Sequence, residues 1–299
     1  MGSLFAALLT QDNANNVCLL DYNRKRAKQI TFRGLRVKGL TSLCVQPGRV
    51  LATADARKVG KADIVIIMVK SPDTQEATKR VKHCVGTRTL VISLQNGLGN
   101  VEVIKKVLGK TYAGNVAGGT TAQGATLLCP GIVRHAGRGV TVLEKSTRRE
   151  IQVNALGKAL VRAGLPVKLV GDLAPWTWSK LVINSAINPL GAVFGVPNGE
   201  LARIPAYRLL LGLVARESAQ VARAAGIRLR YRDAEAETIR VCQATAKNRN
   251  SMLQDVLRGK PTEIEAINGV IVETARRKGI KAPLNEMLVE MVKRLKRLK

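Results

Sequence analysis

The sequence predicts an α/β protein in two domains, a parallel-sheet domain over residues 1–171 and an all-helical domain over residues 172–299. A chain of 299 residues is long for one hydrophobic core and comfortable for two. In the first part, short β-rich runs alternate with helical stretches, which is typical of β–α–β units around a parallel sheet. From about residue 172, apolar positions recur at helical spacing and no good strand is predicted.

The elements of the first domain follow from its apolar runs and the turns between them. We expect strands at residues 17–20, 63–69, 89–93 and 112–117, with helices at 75–83 and 101–108. The run at 63–69 is nearly all apolar, as a strand covered on both faces should be. Three short β runs at 125–129, 131–135 and 140–143 predict an antiparallel meander at the edge of the sheet. A helix at 151–163 and a strand at 167–170 complete the domain.

The second domain is predicted to be helical throughout. Apolar residues at helical spacing indicate helices at residues 177–187, 206–225, 233–247 and 263–278. Pro189 directly follows Asn188 and is expected to end the first of these helices, because the residue before a proline is biased away from helical backbone angles.

The charge balance is the unusual feature of the composition. Lys and Arg total 49 against 21 acidic residues, a formal net charge of +28. Such a balance can indicate a nucleic-acid partner. However, the basic residues are scattered over the chain, and only 3% of residues are aromatic, so platforms for base stacking are scarce. A solvated basic surface is therefore the favoured interpretation, and nucleic acid is not expected as a partner.

Cysteine usage and hydropathy favour a cytoplasmic protein. The five cysteines form no C-x-x-C pair and there are only two histidines, so reduced thiols are expected and a metal site is not. No apolar run reaches the roughly 18 to 20 residues of a membrane helix, so no membrane partner is expected. The N-terminus has no basic segment typical of a signal peptide.

The N-terminus has the pattern of the second half of a dinucleotide-binding motif. That Rossmann-type motif is a strand, a G-x-G-x-x-G loop and a helix, followed about 20 residues later by an acidic residue for the ribose. Here Gly2 precedes a helical run, and Asp21 follows the strand at 17–20. The first strand and the earlier glycines would stand ahead of Met1. We therefore expect the chain as written to bind a dinucleotide weakly, which puts its activity in doubt.

Polar residues directly after two predicted strands mark a candidate ligand cleft. Lys70 and Gln75 follow the strand at 63–69, and Asn96 follows the strand at 89–93. Open parallel sheets bind ligands at the carboxyl ends of their strands, so these residues are candidates for contact with a bound molecule. The alternative is a surface lysine and an ordinary Asn-Gly turn.

The helical domain carries a polar stripe in an apolar helix. Lys180, Asn184 and Asn188 recur every four residues, which places them on one slowly drifting line along the helix. Burying a lysine and two asparagines there is costly unless a polar group meets them. The stripe therefore indicates a polar ligand, with a solvated helix face as the alternative.

Two more polar runs follow in the same domain. Asn248 and Ser251 open one of them, and Thr262 and Glu263 open the other. Thr262 is a fair N-cap for the last predicted helix, and Glu263 suits its first turn. Helix capping is thus the alternative to a functional role for Glu263.

Several motifs then occur together in a fixed order. They are Gln95-Asn96-Gly97, Gly119-Thr120-Thr121, Lys180-x-x-x-Asn184-x-x-x-Asn188-Pro189-Leu190, Pro197-Asn198-Gly199-Glu200-Leu201, Ser251-Met252-Leu253-Gln254-Asp255 and Thr262-Glu263-Ile264. With these motifs the chain resembles the ketopantoate reductases (2-dehydropantoate 2-reductases) from residue 1 to near Val292.

The resemblance implies an NADPH-dependent reduction of the small 2-keto acid ketopantoate to pantoate, in pantothenate and coenzyme A biosynthesis. It implies that Lys180 is the proton donor and that Glu263 holds the cofactor and tunes Lys180. The implied substrate residues are Asn96, Asn184, Asn188, Asn198, Asn248 and Ser251. The implied cofactor residues are Gly2, Asp21, Arg24, Lys70, Gln75, Asn96, Ala125 and Glu263.

The nicotinamide cofactor and the function each keep an alternative. Asp21 favours NADH, whereas Arg24 is available to the 2′-phosphate of NADPH, so NADPH is expected first and NADH second. Another hydroxy-acid dehydrogenase of the same two-domain architecture stays open. So does a truncated, non-catalytic basic protein that binds polyanions. A homodimer is also kept open.

Overall fold

The computed structural model describes residues 1–146 and 148–295, which divide into two compact units. Unit 1 comprises Met1–Val69, Asp73–Gln95 and Asn100–Leu173, apart from the one residue not described. Unit 2 comprises Lys70–Pro72, Asn96–Gly99 and the chain from Ala174 onward. The sequence prediction placed the two short loops in the first domain, whereas their contacts group them with the second. Residues 296–299 of the predicted helical domain lie outside the described residues.

Unit 1 combines parallel strands with flanking helices. Its strands are β1 (Cys18–Leu20), β2 (Leu35–Gly39), β3 (Leu43–Val45), β4 (Leu51–Thr53), β5 (Ile64–Ile67), β6 (Leu90–Ser93), β7 (Val116–Thr121), β8 (Gly124–Cys129), β9 (Ile132–Gly137), β10 (Thr141–Glu144) and β11 (Val167–Val170). Its helices are α1 (Gly2–Leu9), α2 (Arg24–Arg33), α3 (Thr74–Val81), α4 (Asn100–Leu108), α5 (Lys110–Ala113) and α6 (Glu150–Arg162). The predicted fold class, a parallel α/β domain followed by helices, is confirmed.

The main sheet has the strand order β11-β10-β7-β6-β5. Strands β5, β6 and β7 run parallel, while β10 is antiparallel to β7 and parallel to β11. Strand β6 is buried along its whole length, as expected for a central strand under helices on both faces. Strands β1 and β4 form a separate parallel pair.

The predicted three-strand meander is partly wrong. Strands β8 and β9 are antiparallel neighbours, but they belong to a second sheet of order β3-β2-β9-β8. Strand β10 joins the main sheet instead. Its buried residues Val142 and Leu143 fit a two-sided interior, and Thr141 Oγ1 lies 2.9 Å from Thr121 Oγ1 on β7. Burial and side-chain pairing therefore override the short glycine turn that suggested a hairpin.

The predicted strand at 112–117 is shifted in the structure. Residues Lys110–Ala113 form the short helix α5, and β7 starts at Val116 and continues through two glycines and two threonines. A side chain at Gly118 would meet that of Leu173, and one at Gly119 would meet that of Leu94. The small residues therefore serve close packing, and their weak apolar signal hides the strand.

Unit 2 is helical over the residues that the structure describes. Its helices are α7 (Ala174–Phe194), α8 (Asn198–Arg203), α9 (Pro205–Ala224), α10 (Ala234–Ala244), α11 (Ser251–Leu257), α12 (Val270–Arg277) and α13 (Pro283–Leu295). A π-helical turn, Glu265–Gly269, leads into α12. Helix α7 contributes most to the apolar core, through residues such as Trp178, Leu181, Val182 and Leu190.

The prediction that Pro189 ends its helix is wrong, because α7 continues through it to Phe194. A proline has no N–H to donate to the carbonyl four residues earlier, so the Ser185 carbonyl needs another donor. Asn268 supplies it, since its side-chain amide donates to the Ser185 oxygen at 2.9 Å. Tertiary hydrogen bonding thus replaces the lost helical bond.

Candidate active site

The centre of the candidate site is an ammonium–amide contact in unit 2. Lys180 lies in the second turn of α7, and its Nζ donates to Asn96 Oδ1 at 2.8 Å. The loop Asn96–Gly99 is held against the π-helical turn, since Leu98 N donates to the Ala266 carbonyl at 3.1 Å. Gly97 has φ +78°, and a side chain there would collide with the Ala266 backbone. Glycine at this position therefore allows the close approach that places Asn96.

Glu263 is the buried acid of the site. It is 4% exposed and lies two residues before the π-helical turn. Its Oε1 accepts from the Ser71 N–H at 3.1 Å and from Ser71 Oγ at 3.0 Å. Its Oε2 accepts from Asn96 Nδ2 at 3.4 Å. Asn96 therefore bridges Lys180 and Glu263, and π-helical turns are frequent at such functional positions.

Lys70 connects Glu263 to a second acid. Its Nζ lies 2.7 Å from Asp255 Oδ2 and 3.6 Å from Glu263 Oε2. The Lys70 side chain is 37% exposed, whereas Asp255 and Glu263 are both largely buried. The site therefore holds two lysines and two carboxylates, linked through an amide.

The electrostatic setting of Lys180 suits proton transfer. Desolvation lowers its pKa from 10.5 to about 8, and the negative charge of Glu263 opposes that shift. For Asp255, desolvation raises the pKa of the carboxyl while the Lys70 ammonium works against it. A lysine whose pKa lies near neutral pH can deliver a proton far more readily than one at 10.5.

A polar cluster surrounds the later part of α7. Asn198 Nδ2 donates to Thr245 Oγ1 at 2.9 Å, and the Asn198 N–H donates to the Asn248 carbonyl at 3.0 Å. Asn250 caps α11 through Leu253 N and donates to the Ile187 carbonyl of α7 at 3.1 Å. A side chain at Gly191 would collide with the Asn250 amide, so the glycine permits this contact.

Four predicted substrate residues keep unused polar groups. The side chains of Asn184, Asn188, Asn248 and Ser251 make no hydrogen bond within residues 1–146 and 148–295. Asn188 is only 6% exposed. Polar groups that are largely removed from water normally have a partner, so this set is suited to binding a polar ligand.

The predicted cofactor residues of unit 1 are dispersed. Gly2 begins α1, Arg24 is exposed at the start of α2, Gln75 is exposed in α3, and Ala125 is half-buried in β8. Asp21 directly follows β1, and Arg26 Nη2 donates to its Oδ1 at 2.6 Å. Among the described residues of unit 1, no hydrogen bond or ion pair joins these predicted cofactor residues to one another, and Asp21 pairs with Arg26 instead.

Several residues of the site were not predicted from the sequence. Asp255 and Asn250 stand inside the polar run that begins at Asn248, and Ser71 follows Lys70. The types of these residues do not by themselves indicate a role, because the residues they contact are distant in the sequence. Arg26 had a usable signal, since it is a basic residue five positions after the acid at the end of a strand.

The fold and the site define an oxidoreductase class, in which a dinucleotide-binding α/β unit is followed by a helical unit with a lysine in its site. Comparison with known families identifies the particular family within this class. The family described as Ketopantoate reductase PanE/ApbA matches residues 1–148, and its C-terminal part matches residues 172–296. The chain belongs to the ketopantoate reductase family and is an NAD(P)H-dependent oxidoreductase.

Relatives of this chain match over nearly its whole length. It is 37% identical to a 2-dehydropantoate 2-reductase of Pyrococcus horikoshii over 98% of this chain and 93% of the relative. It is 36% identical to one of Archaeoglobus fulgidus, with coverage of 98% and 94%. A solved ketopantoate reductase of Ralstonia eutropha is 30% identical and superposes with a TM-score of 0.87, covering 98% of this chain and 94% of that one.

Proposed function

We propose that this chain reduces ketopantoate (2-dehydropantoate) to pantoate, with NADPH as the hydride donor, in pantothenate and coenzyme A biosynthesis. The observation that carries the proposal is the Lys180–Asn96–Glu263 arrangement, in which a lysine with a pKa of about 8 is oriented by an amide. The relatives named as 2-dehydropantoate 2-reductases support the choice of substrate.

Lys180 acts as the general acid in this proposal. The chemistry that NADPH would supply when bound is a hydride for the carbonyl carbon of the substrate. Before proton transfer, the positive charge of Lys180 stabilises the negative charge that develops on the carbonyl oxygen. Lys180 Nζ then gives its proton to that oxygen and becomes a neutral amine. Asn96 Oδ1 accepts one N–H of Lys180 and so fixes the direction of the ammonium group. Glu263 keeps enough negative charge nearby to hold Lys180 protonated near neutral pH.

The unused amides and hydroxyl form the substrate site. Asn184 and Asn188 continue the line of Lys180 along α7, while Asn248 and Ser251 flank the cap of α11. Their donors suit the carboxylate and hydroxyl groups of a small 2-keto acid. Asn198, buried beside Thr245, completes this set.

For the cofactor, we propose that Gly2, Asp21, Arg24, Lys70, Gln75, Asn96, Ala125 and Glu263 contact NADPH, with NADH as the second cofactor. Gly2 stands at the first turn of a helix, where backbone N–H groups suit a pyrophosphate. Free thiols at all five cysteines are typical of a reducing compartment, so we place the reaction in the cytoplasm. We also propose that the protein forms a homodimer, and we assign no surface of the chain to its interface.

The experiment is a steady-state assay with ketopantoate and NADPH, comparing the wild type with Lys180→Ala. Loss of a general acid should lower kcat by about 10² or more. Lys278→Ala, an exposed lysine of the same unit, is the matched control and should keep wild-type turnover. Near-normal turnover in Lys180→Ala would contradict the assignment.

A second candidate is the reduction of another 2-keto acid. A solved D-mandelate dehydrogenase with NADH and anilino(oxo)acetate shares the fold at a TM-score of 0.86 and 23% identity, so this fold is not tied to one substrate. Values of kcat/KM for ketopantoate and for phenylglyoxylate, an aromatic 2-keto acid, separate the two candidates. Higher kcat/KM for phenylglyoxylate would favour the second.

A further inference from the structure

The strand end that faces the ribose in dinucleotide-binding folds carries an ion pair here rather than a lone acid. Arg26 binds the Asp21 carboxylate with two groups: Nη2 donates to Oδ1 at 2.6 Å, and Nε donates to Oδ2. The backbone N–H of Asn23 also donates to Asp21 Oδ1 at 2.9 Å. The Asp21 side chain is 11% exposed and that of Arg26 is 22% exposed, so water screens this pair only partly.

This pairing changes what Asp21 presents to a nucleotide. An unpaired carboxylate at this position accepts a hydrogen bond from the ribose 2′-hydroxyl and repels a 2′-phosphate. With Arg26 bound, both carboxylate oxygens accept hydrogen bonds from the protein and the net charge of the pair is zero. The hydrogen bonds that Arg26 donates to Asp21 raise the pKa of Arg26, so the guanidinium stays charged at all physiological pH values.

Arg26 also retains donors for a second anion. Its two hydrogen bonds to Asp21 use Nε and Nη2, which leaves Nη1 uncommitted to that carboxylate. The guanidinium carbon lies 5.1 Å from the ring centroid of Tyr22, whose side chain is 66% exposed. The exposed Tyr22 ring gives this corner a stacking face, and Arg24, two residues before Arg26 in the same helix, gives it a second positive charge.

We propose that Arg26, rather than Asp21 alone, determines the choice between NADPH and NADH, by neutralising Asp21 and offering its guanidinium to the 2′-phosphate. This inference rests on the proposed function, because it assumes a nicotinamide dinucleotide at the end of β1. The expected result is a preference for NADPH, whereas Asp21 considered alone predicts a preference for NADH. Removing Arg26 exposes the carboxylate and converts the site to one that favours a free 2′-hydroxyl.

The test uses two nucleotides that differ only in the group concerned, 2′,5′-ADP and 5′-AMP, titrated calorimetrically up to millimolar concentration. The wild type should bind 2′,5′-ADP more tightly. In Arg26→Gln the ratio of the two affinities should fall by about tenfold or more, as expected when a charge contact is replaced by repulsion. Affinity for 5′-AMP should be kept or increased. Arg33→Gln removes one exposed charge from the same helix without touching Asp21, and it should leave the ratio within about twofold.

A second variant, Asp21→Asn, should change the ratio of the affinities for 2′,5′-ADP and 5′-AMP in the opposite direction, and it replaces Arg26→Gln as the test if that variant does not fold. It frees Arg26 and should raise affinity for 2′,5′-ADP relative to 5′-AMP. An unchanged ratio in Arg26→Gln, or an equal fall in Arg33→Gln, overturns the inference while reductase activity with NADPH leaves the proposed function standing. Failure of both nucleotides to bind, together with no ketopantoate reduction with either cofactor, overturns both.

Discussion

Lys70 Nζ lies closer to Asp255 Oδ2, at 2.7 Å, than to Glu263 Oε2, at 3.6 Å. One ammonium group is therefore shared by two buried carboxylates, and Asp255 takes the larger part of it. Glu263 keeps uncompensated negative charge as a result, and that charge is the influence that raises the pKa of Lys180 against desolvation. We therefore expect the pair formed by Lys70 and Asp255 to influence the pKa of Lys180 through the charge of Glu263.

The first prediction concerns the pH dependence of reduction. Lys180 must be protonated to act as the acid, so kcat/KM should fall as pH rises through about 8. In Glu263→Gln the favourable negative charge is lost, the pKa of Lys180 falls, and the descending limb should move to lower pH. In Asp255→Asn, Lys70 is left with Glu263 as its carboxylate partner and neutralises it more fully. The descending limb of the kcat/KM profile should therefore also move to lower pH, by a smaller amount than in Glu263→Gln.

The charged groups around Asp255 are Lys70, Glu263 and Lys260, so Lys260→Gln is the matched control for loss of a nearby charge. Profiles of kcat/KM from pH 6 to 10 on the purified variants give the measurement. A purely structural role for Asp255 would lower stability and leave the limb in place. An unmoved limb in both carboxylate variants would contradict the link between Glu263 and Lys180.

The second prediction concerns the proline inside α7. Asn268 is fully buried, and its amide donates to the Ser185 carbonyl and to Asn285 Oδ1, both at 2.9 Å. Asn268→Ala removes both hydrogen bonds and should lower the free energy of unfolding by about 2 to 4 kcal/mol. The Ser185 carbonyl loses this donor, Asn285 Oδ1 keeps only a long hydrogen bond of 3.4 Å from Ser218 Oγ, and the deleted side chain leaves a cavity. Thermal or urea unfolding followed by circular dichroism measures the loss.

A double-mutant cycle isolates the contribution of the proline. Pro189→Ala restores an N–H that can donate to Ser185, so Asn268→Ala should cost less in that background by roughly 1 kcal/mol. Strict additivity of the two changes would show that the Asn268 amide does not substitute for the helical bond. Gln220→Ala, an exposed amide on α9, should leave unfolding unchanged.

These residues also show where sequence reasoning succeeds and where it fails. The apolar run at β5, the helical spacing at the start of α7 and the acid after β1 are local signals, and each was predicted within a few residues of its observed position. The continuation of α7 through Pro189 depends on Asn268, which is far along the chain, so no local rule could reveal it. Strands β2, β3 and β4 were not predicted, because β3 and β4 have only three residues each and β2 carries the basic residues Arg36 and Lys38 at exposed positions.

The candidate site divides in the same way. The polar stripe of Lys180, Asn184 and Asn188 was visible because a helix imposes a fixed spacing on its faces. The partners of Glu263 were not, since Ser71 and Asp255 are brought to it by long-range folding. Arg26 lies between these cases: its proximity to Asp21 is local, but the two-point contact depends on α2 starting directly after the strand.

The third prediction concerns substrate binding. Asn184 lies one helical turn from Lys180, and its amide has no hydrogen-bond partner within the described part of the chain. Asn184→Ala removes a donor for the substrate and should raise KM for ketopantoate at least tenfold, a typical cost for losing a hydrogen bond to a charged group. Affinity for NADPH, followed by fluorescence titration, should change less than twofold. A parallel loss of NADPH affinity would place Asn184 in the cofactor site instead.

The last prediction concerns the edges of strands β1 and β5. Among the described residues β1 pairs only with β4, and β5 pairs only with β6, so each presents one edge to which a further strand can bind. In dinucleotide-binding sheets the first strand occupies a central position and its glycine loop supplies backbone donors to the pyrophosphate. An apolar strand of about ten residues ending in Gly-x-Gly-x, added directly ahead of Gly2, should therefore pair with these edges. Each backbone group that gains a buried partner contributes about 0.5 to 1.5 kcal/mol, so the melting temperature should rise and NADPH should bind more tightly.

The chain with and without the added strand is compared by calorimetry with NADPH and by thermal unfolding. A control extension of the same length, with its apolar residues replaced by serine and its glycines by alanine, should give neither gain. Equal melting temperatures and equal NADPH affinities for the 299-residue chain and the extended chain would show that these edges do not accept a strand.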